Sequence, residues 1–331
     1  MTSPPVPPAA WPDPAPLDPL RRYRGLQLAS IVLIVGGLVT LLALGSVLLN
    51  RIGGGVLPVI GGDAAGILLV LILASVALWV GLVINAVRSV LVRESLPSSR
   101  YRGPSVIILL LLATLVSVAA SLSVADDLTA LQTGGDASAL GSMLALTVTQ
   151  LGLLAVGAVF VAIPRALDGV RLLPQRGLLR SLVLGAALSV PAWIAAQVIQ
   201  VTVVALLGLV GLRPDTGLAE RAIASVDPVV LVVALVIVAP IAEEVFFRGI
   251  VFNAWEREHG ARRALFGSAL LFAVIHGSVF NLLPIFALGM LLAAFYRRTR
   301  SLPGSMALHA GFNAISVILG LLVRFDVIRL P

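Results

Sequence analysis

IVAPIAEEVFFRGIVF, residues 237–252, sets two adjacent glutamates and an arginine inside a run that otherwise reads as a membrane-spanning helix. On insertion scales a charge at the centre of such a helix costs roughly 2.5–3.5 kcal/mol. Glu243, Glu244 and Arg248 together would cost on the order of 7–10 kcal/mol if unpaired and facing lipid. Pairing or function must offset that cost. Glu244 and Arg248 are four residues apart, on one helix face, where an ion pair can form. Glu243 is turned about 100° away and is the carboxylate left free for chemistry. Pro240 removes a backbone hydrogen bond and clashes with the carbonyl four residues back. It predicts a bend near Val236 and freed carbonyls that need protein or water partners.

The surrounding composition makes the membrane reading firm. Of 331 residues 59% are hydrophobic and 12% charged, with mean hydropathy +1.07, against about 25% charged in soluble domains. The net charge of +7 does not point to nucleic acid, because the basic residues flank apolar segments instead of gathering on a soluble face. All the basic residues are arginine, which together with the Ala, Leu, Val, Gly and Pro richness suggests a GC-rich bacterial genome. The chain has no cysteine, so disulfide and thiolate chemistry are excluded.

Apolar runs at roughly 26–49, 65–87, 104–125, 139–163, 181–212, 228–252, 264–280, 281–299 and 303–323 predict an all-α polytopic membrane protein of nine spans, or eight if the seventh and eighth merge. The fifth contains Pro191 and is long enough to kink or tilt. Alternate connections are rich in arginine: Arg21, Arg22 and Arg24; Arg88, Arg93, Arg100 and Arg102; Arg165, Arg171, Arg176 and Arg180; Arg257, Arg262 and Arg263; Arg297, Arg298 and Arg300. The opposite side carries Arg51, Arg213, Arg221, Arg324 and Arg329. The positive-inside rule then puts the N-terminus in the cytoplasm and the C-terminus outside. Residues 1–24 open with a proline-rich stretch that predicts a disordered cytoplasmic tail. Residues 25–178 form a four-helix membrane region of undetermined role. Everything chemically unusual falls in 179–331.

That last part holds two of the three histidines inside spans. His276 lies in LLFAVIHG. His309 lies in SMALHAGFNAIS, with Asn313 four residues on and therefore on the same face. His259, in the arginine-rich loop EREHGARR, reads as a solvated residue. With 1.5 Å per residue, Glu243, His276 and His309 all fall in the cytoplasmic half or near the midplane, where one cavity could hold them. Ser268, Ser278 and Ser305 lie nearby, but no serine-nucleophile motif accompanies them.

EEVFFRG, FAVIH (Phe272–His276) and HAGFN (His309–Asn313) match EExxxR, FxxxH and HxxxN, in that order on successive helices. Together they resemble the CPBP intramembrane proteases, the Abi-like family of CAAX prenyl endopeptidases and bacteriocin-processing and immunity proteins. No motif position departs from the pattern. The resemblance implies hydrolysis of peptide bonds within the membrane. Glu243 would be the general base and His276 its partner in activating water. His309 and Asn313 would stabilise the oxyanion, Glu244 and Arg248 would hold the site together, and Phe272 would pack beside His276.

Family members are described both as glutamate-dependent enzymes and as metalloproteases. Carboxylate and imidazole can bind zinc, but the H-E-x-x-H spacing is absent. The expectation is a metal-free glutamate mechanism, with a zinc site on Glu243, His276 and His309 as the alternative. The expected partners are a membrane-associated peptide or protein substrate and the lipid bilayer, with no nucleic acid, in a bacterial cytoplasmic membrane. A proton relay or proton-coupled transporter and a catalytically silent membrane scaffold are the competing classes. A transporter would show inverted repeats and broken helices in both halves, whereas here the first four spans carry no acidic or histidine residue in their cores.

Overall fold

In lipid, each backbone polar group must be satisfied within its own segment, and the apolar runs answer with helices. The computed structural model describes residues 23–53, 62–93, 105–133, 139–159, 177–214 and 218–328, with no strand among them. The helices are α1 (Arg24–Gly53), α2 (Gly62–Arg93), α3 (Val106–Ser121) and α4 (Ala125–Thr133), the last two joined by a 3₁₀ turn. They continue with α5 (Ala139–Gly157), α6 (Leu178–Leu209), α7 (Leu218–Ser225), α8 (Pro228–His259), α9 (Ala261–Val274), α10 (Val279–Thr299) and α11 (Leu302–Arg324). The proline-rich stretch 1–22 and the predicted connection arginines Arg100, Arg102, Arg165, Arg171, Arg176 and Arg329 lie outside the described residues.

Among the described residues each of the nine apolar runs contains a helix, but seven helices are long and apolar enough to cross a bilayer. The fourth run yields a shorter apolar helix, Gly141–Gly157. The seventh yields α9, whose 14 residues reach only about 21 Å of a hydrocarbon core of about 30 Å. Hydropathy continues past Val274, yet the backbone turns at Gly277, which takes φ 67°, a conformation that favours glycine. Ser278 then caps α10 by accepting from the Asn281 N–H. The protein is an integral, multi-pass membrane protein.

Burial identifies the central helix. Of the α8 span 44% is buried, against 11% for α1, α2 and α6. The outer helices turn Val32, Leu68, Val183, Val198 and Leu209 outward, as lipid-facing positions should. Around α8, a core of Val106, Leu109 and Ala113 from α3 and Leu153 and Val156 from α5 meets Phe246, Phe247, Ile250, Val251 and Phe272. The N-terminal helices α3 and α5 thus pack directly on the helix that carries the glutamates.

Pro240 does not end α8. The helix widens into π-turns at Val232–Val238 and Val245–Phe252, on either side of the α-helical Ala239–Glu244. In a π-turn, residue 240 would bond the carbonyl of residue 235, and proline has no N–H to give. Asn313 supplies the missing donor, its Nδ2 lying 2.8 Å from the Leu235 oxygen. At the other π-turn, Asn253 Nδ2 donates toward the carbonyls of Arg248 (2.7 Å) and Gly249 (3.1 Å) and to Tyr296 Oη (2.8 Å).

α6 and α11 approach through small residues, the usual way for membrane helices to pack closely. Ser181, Gly185 and Ser189 are buried on one face of α6. Ser181 Oγ meets Ser301 Oγ at 2.8 Å. A Cβ at Gly185 would lie 2.2 Å from the Gly304 carbonyl oxygen, whereas one at Gly208 would meet nothing within 4 Å. Gly185→Val should therefore lower the melting temperature in detergent, with an overpacking cost of about 3 kcal/mol, and Gly208→Val should leave it near native. Equal melting for both variants would contradict the α6–α11 packing.

Candidate active site

Glu244 lies at the centre of the polar cluster. It is 0% exposed, with Arg248 at 1% and Glu243 at 7%. Its Oε1 accepts from Arg248 Nη1 at 2.8 Å and from His309 Nδ1 at 3.1 Å. Its Oε2 accepts from Ser305 Oγ at 2.5 Å. The i,i+4 pair read from the sequence is present, and α11 adds two donors from successive turns. Arg248 is held further by Nη2 donating to the Gly289 carbonyl at 3.1 Å, and by the Phe272 ring 4.7 Å from its guanidinium carbon. Three donors take most of the lone-pair positions of this carboxylate, and its full burial closes it to a substrate.

Glu243 differs. Its described neighbours are His309 Nε2, 3.8 Å from its Oε2, and the amide of Gln150, 3.3 Å from its Oε1. The histidine gap exceeds a direct hydrogen bond, but one water can touch both atoms. The sequence reading that Glu243 is the freer carboxylate agrees with this geometry.

His309 bridges the two glutamates. Because Nδ1 faces an ionised carboxylate that can only accept, Nδ1 must carry a proton. Nε2 then faces Glu243 with or without a second proton. Two carboxylates and one guanidinium leave the cluster with one net negative charge. It is neutral when Glu243 and His309 hold a single proton beyond the one on Nδ1.

His276 comes to the cluster differently. Its Nδ1 lies 2.7 Å from the Phe272 carbonyl, an acceptor, so Nδ1 donates and the neutral ring keeps a lone pair on Nε2. Its ring meets that of Phe272 edge-on at 4.9 Å, and the other neighbours of Phe272 include the His309 ring at 5.7 Å. Phe272 thus separates the two imidazoles. Among the described residues no hydrogen bond or ion pair joins His276 to Glu243, and the imidazole beside Glu243 is that of His309. Asn313, on the His309 face of α11, commits one N–H to Leu235 and retains a second.

The three serines noted beside the motifs have other roles. Ser305 donates to Glu244, Ser278 caps α10, and buried Ser268 turns back to the Leu265 carbonyl at 3.4 Å. His259 stands outside the cluster, beside Glu258 at 3.5 Å. The zinc candidates do not converge: among the described residues no three His, Asp or Glu side chains gather as a ligand set. Glu243, His276 and His309 therefore do not fit a metal in this arrangement, and no step below runs through one.

Sequence reasoning missed Gln150, the Ser305 donor, the Gly289 carbonyl and Asn253. Ser305 is four residues before His309 and so shares its face, a spacing that pointed to it. Gln150 carries no such signal, being an uncharged amide in a span without ionisable residues.

No curated protein and no solved structure matches the chain. A family model does: residues 225–315 match the type II CAAX prenyl endopeptidase, Rce1-like. That stretch contains Glu243, Glu244, Arg248, Phe272, His276, His309 and Asn313. The family is one of proteases. Residues 225–315 are thus similar to that family, and all three motifs behind the resemblance lie within them.

Proposed function

We propose that the protein is an intramembrane endopeptidase that hydrolyses peptide bonds of membrane-associated proteins or peptides, with Glu243 as the base. One observation carries the reading: of two adjacent buried glutamates, Glu244 is fully buried and held by three donors, while Glu243 keeps an oxygen toward His309 across 3.8 Å. A purely structural pair of carboxylates would gain from being matched alike.

In the proposed reaction a water beside Glu243 loses a proton to the carboxylate as its oxygen attacks the scissile carbonyl carbon. His276 supports this step through the Nε2 lone pair, which its bond to Phe272 leaves free. The carbonyl oxygen becomes an oxyanion. His309 donates to it from Nε2 when the ring holds the cluster's extra proton, and Asn313 donates its second N–H. The tetrahedral intermediate then collapses, the C–N bond breaks, and Glu243 passes its proton to the leaving nitrogen. Glu244, Arg248 and Ser305 fix the helices that carry these groups. With all nine apolar runs crossing the bilayer, the alternating arginines put the N-terminus in the cytoplasm and the site in the cytoplasmic half of the membrane. Substrates suited to that setting are prenylated or otherwise membrane-anchored chains, leader peptides and membrane-tethered regulators.

The test compares peptide termini from membrane and secreted fractions of cells expressing the native protein or Glu243→Gln. New termini should appear with the native protein and vanish with the variant, which keeps the size and much of the hydrogen bonding of the native residue. Identical termini in both would sink the endopeptidase reading in favour of a proton path or a scaffold. Asn313→Ala should reduce kcat by about 10²–10³, the scale of one oxyanion donor. It should also lower the melting temperature, because the Leu235 carbonyl loses its partner at about 1–3 kcal/mol. Lost stability with native kcat would remove Asn313 from the chemistry.

A further inference from the structure

Gln150 lies on α5, outside the segment that matches the family, and reaches across to α8. The helix beneath it is firmly seated. Leu153 and Val156 pack into the core with Phe246, Phe247, Ile250 and Val251. A Cβ at Gly157 would come within 2.8 Å of the Ile250 Cδ1, so α5 and α8 are in direct contact there. Gln150 is thus held on a rigid element, and it is half-buried.

Its amide can seat in two ways, and each leaves its nitrogen satisfied. In one, Nε2 donates to Glu243 Oε1 at 3.3 Å, at the cost of setting the amide oxygen against the carbonyls of Thr147 and Leu146. Turned over, the nitrogen donates to the carbonyls of Thr147 at 3.3 Å and Leu146 at 3.1 Å, one turn back on α5. The amide oxygen then faces Glu243. An ionised carboxylate can only accept, so the first seating suits Glu243 as a base. A protonated carboxyl can donate, so the second suits Glu243 once it has taken the proton. The orientation of such an amide is fixed by its hydrogen-bond partners, and here the partner changes character during the reaction.

We infer that Gln150 is a positioning residue for Glu243, an amide that orients the carboxylate in both of its protonation states. The N-terminal membrane region thereby supplies part of the site and is more than a support for it. The inference rests on the endopeptidase reading above and extends it to a helix outside the family segment.

The experiment uses the full-length protein in proteoliposomes. Its probe is a synthetic membrane-anchored peptide spanning the cleavage point found by the comparison of termini. Gln150→Met keeps the length and removes both donor and acceptor. Gln150→Asn keeps an amide but withdraws it by one methylene. Both should lower kcat per folded molecule by about ten- to a hundredfold, the range for a hydrogen bond to a charged group, with KM unchanged. Native kcat per folded molecule in both variants would overturn the inference while leaving the endopeptidase reading intact. So would a loss that only tracks the folded fraction, since that is the mark of a structural role. A native protein that does not cleave the probe would sink both.

Discussion

The rest of the site depends on how one buried carboxylate is satisfied. Glu244 is out of contact with solvent and lies in a helix the membrane would otherwise reject. It is retained because three donors from two helices converge on it: Arg248 from its own face, and Ser305 and His309 from α11. Breaking a buried pair by removing one partner typically costs about 3–5 kcal/mol. The same contacts therefore fix the register of α11 against α8, and the Arg248 bond to Gly289 brings in α10. With those three helices set, His309 can present its second nitrogen only toward Glu243.

From that arrangement the chemistry follows by subtraction. Glu244 is fully buried and held by three structural donors, so the neighbouring carboxylate, turned about 100° around the helix, is the one available for a substrate. The π-turns on either side of the pair expose carbonyls that Asn313 and Asn253 satisfy, and Asn313 is thereby drawn to the site from α11. Phe272 contributes a ring that contacts Arg248, His276 and His309 at once. It keeps the two imidazoles apart so that each retains a separate hydrogen-bonding duty. Farther along α8, Arg300 clasps Glu256 with two bonds of 2.7 and 2.9 Å, tying the end of that helix to the turn between α10 and α11.

Much of this could be read before any coordinates. The four-residue spacing of Glu244 and Arg248 and of His309 and Asn313 is a property of the helix itself. Nine apolar runs are nine helical stretches for the same reason. What the sequence could not show is where a partner arrives from another helix. The family resemblance made His276 the expected partner of Glu243, whereas tertiary packing puts the His309 ring beside it, because Glu244 holds Nδ1 of that ring. Gln150 was invisible because a neutral amide raises no electrostatic alarm. The span count suffered from a related blindness. Hydropathy measures how apolar a run is, and it resumes at Val279 and Phe280 as if unbroken, although the helix ends at Val274 and Gly277 turns the backbone.

The division of labour between the two glutamates is the central claim, and its most direct measurement takes stability and hydrolysis from the same purified preparations of Glu243→Gln and Glu244→Gln. The account predicts that Glu243→Gln melts near the native temperature and hydrolyses nothing. Glu244→Gln, with Arg248 left buried beside a neutral amide, should melt well below it. If the two variants lost stability alike, or if Glu243→Gln retained hydrolysis, the two carboxylates would not be divided between structure and chemistry, and the account would fail.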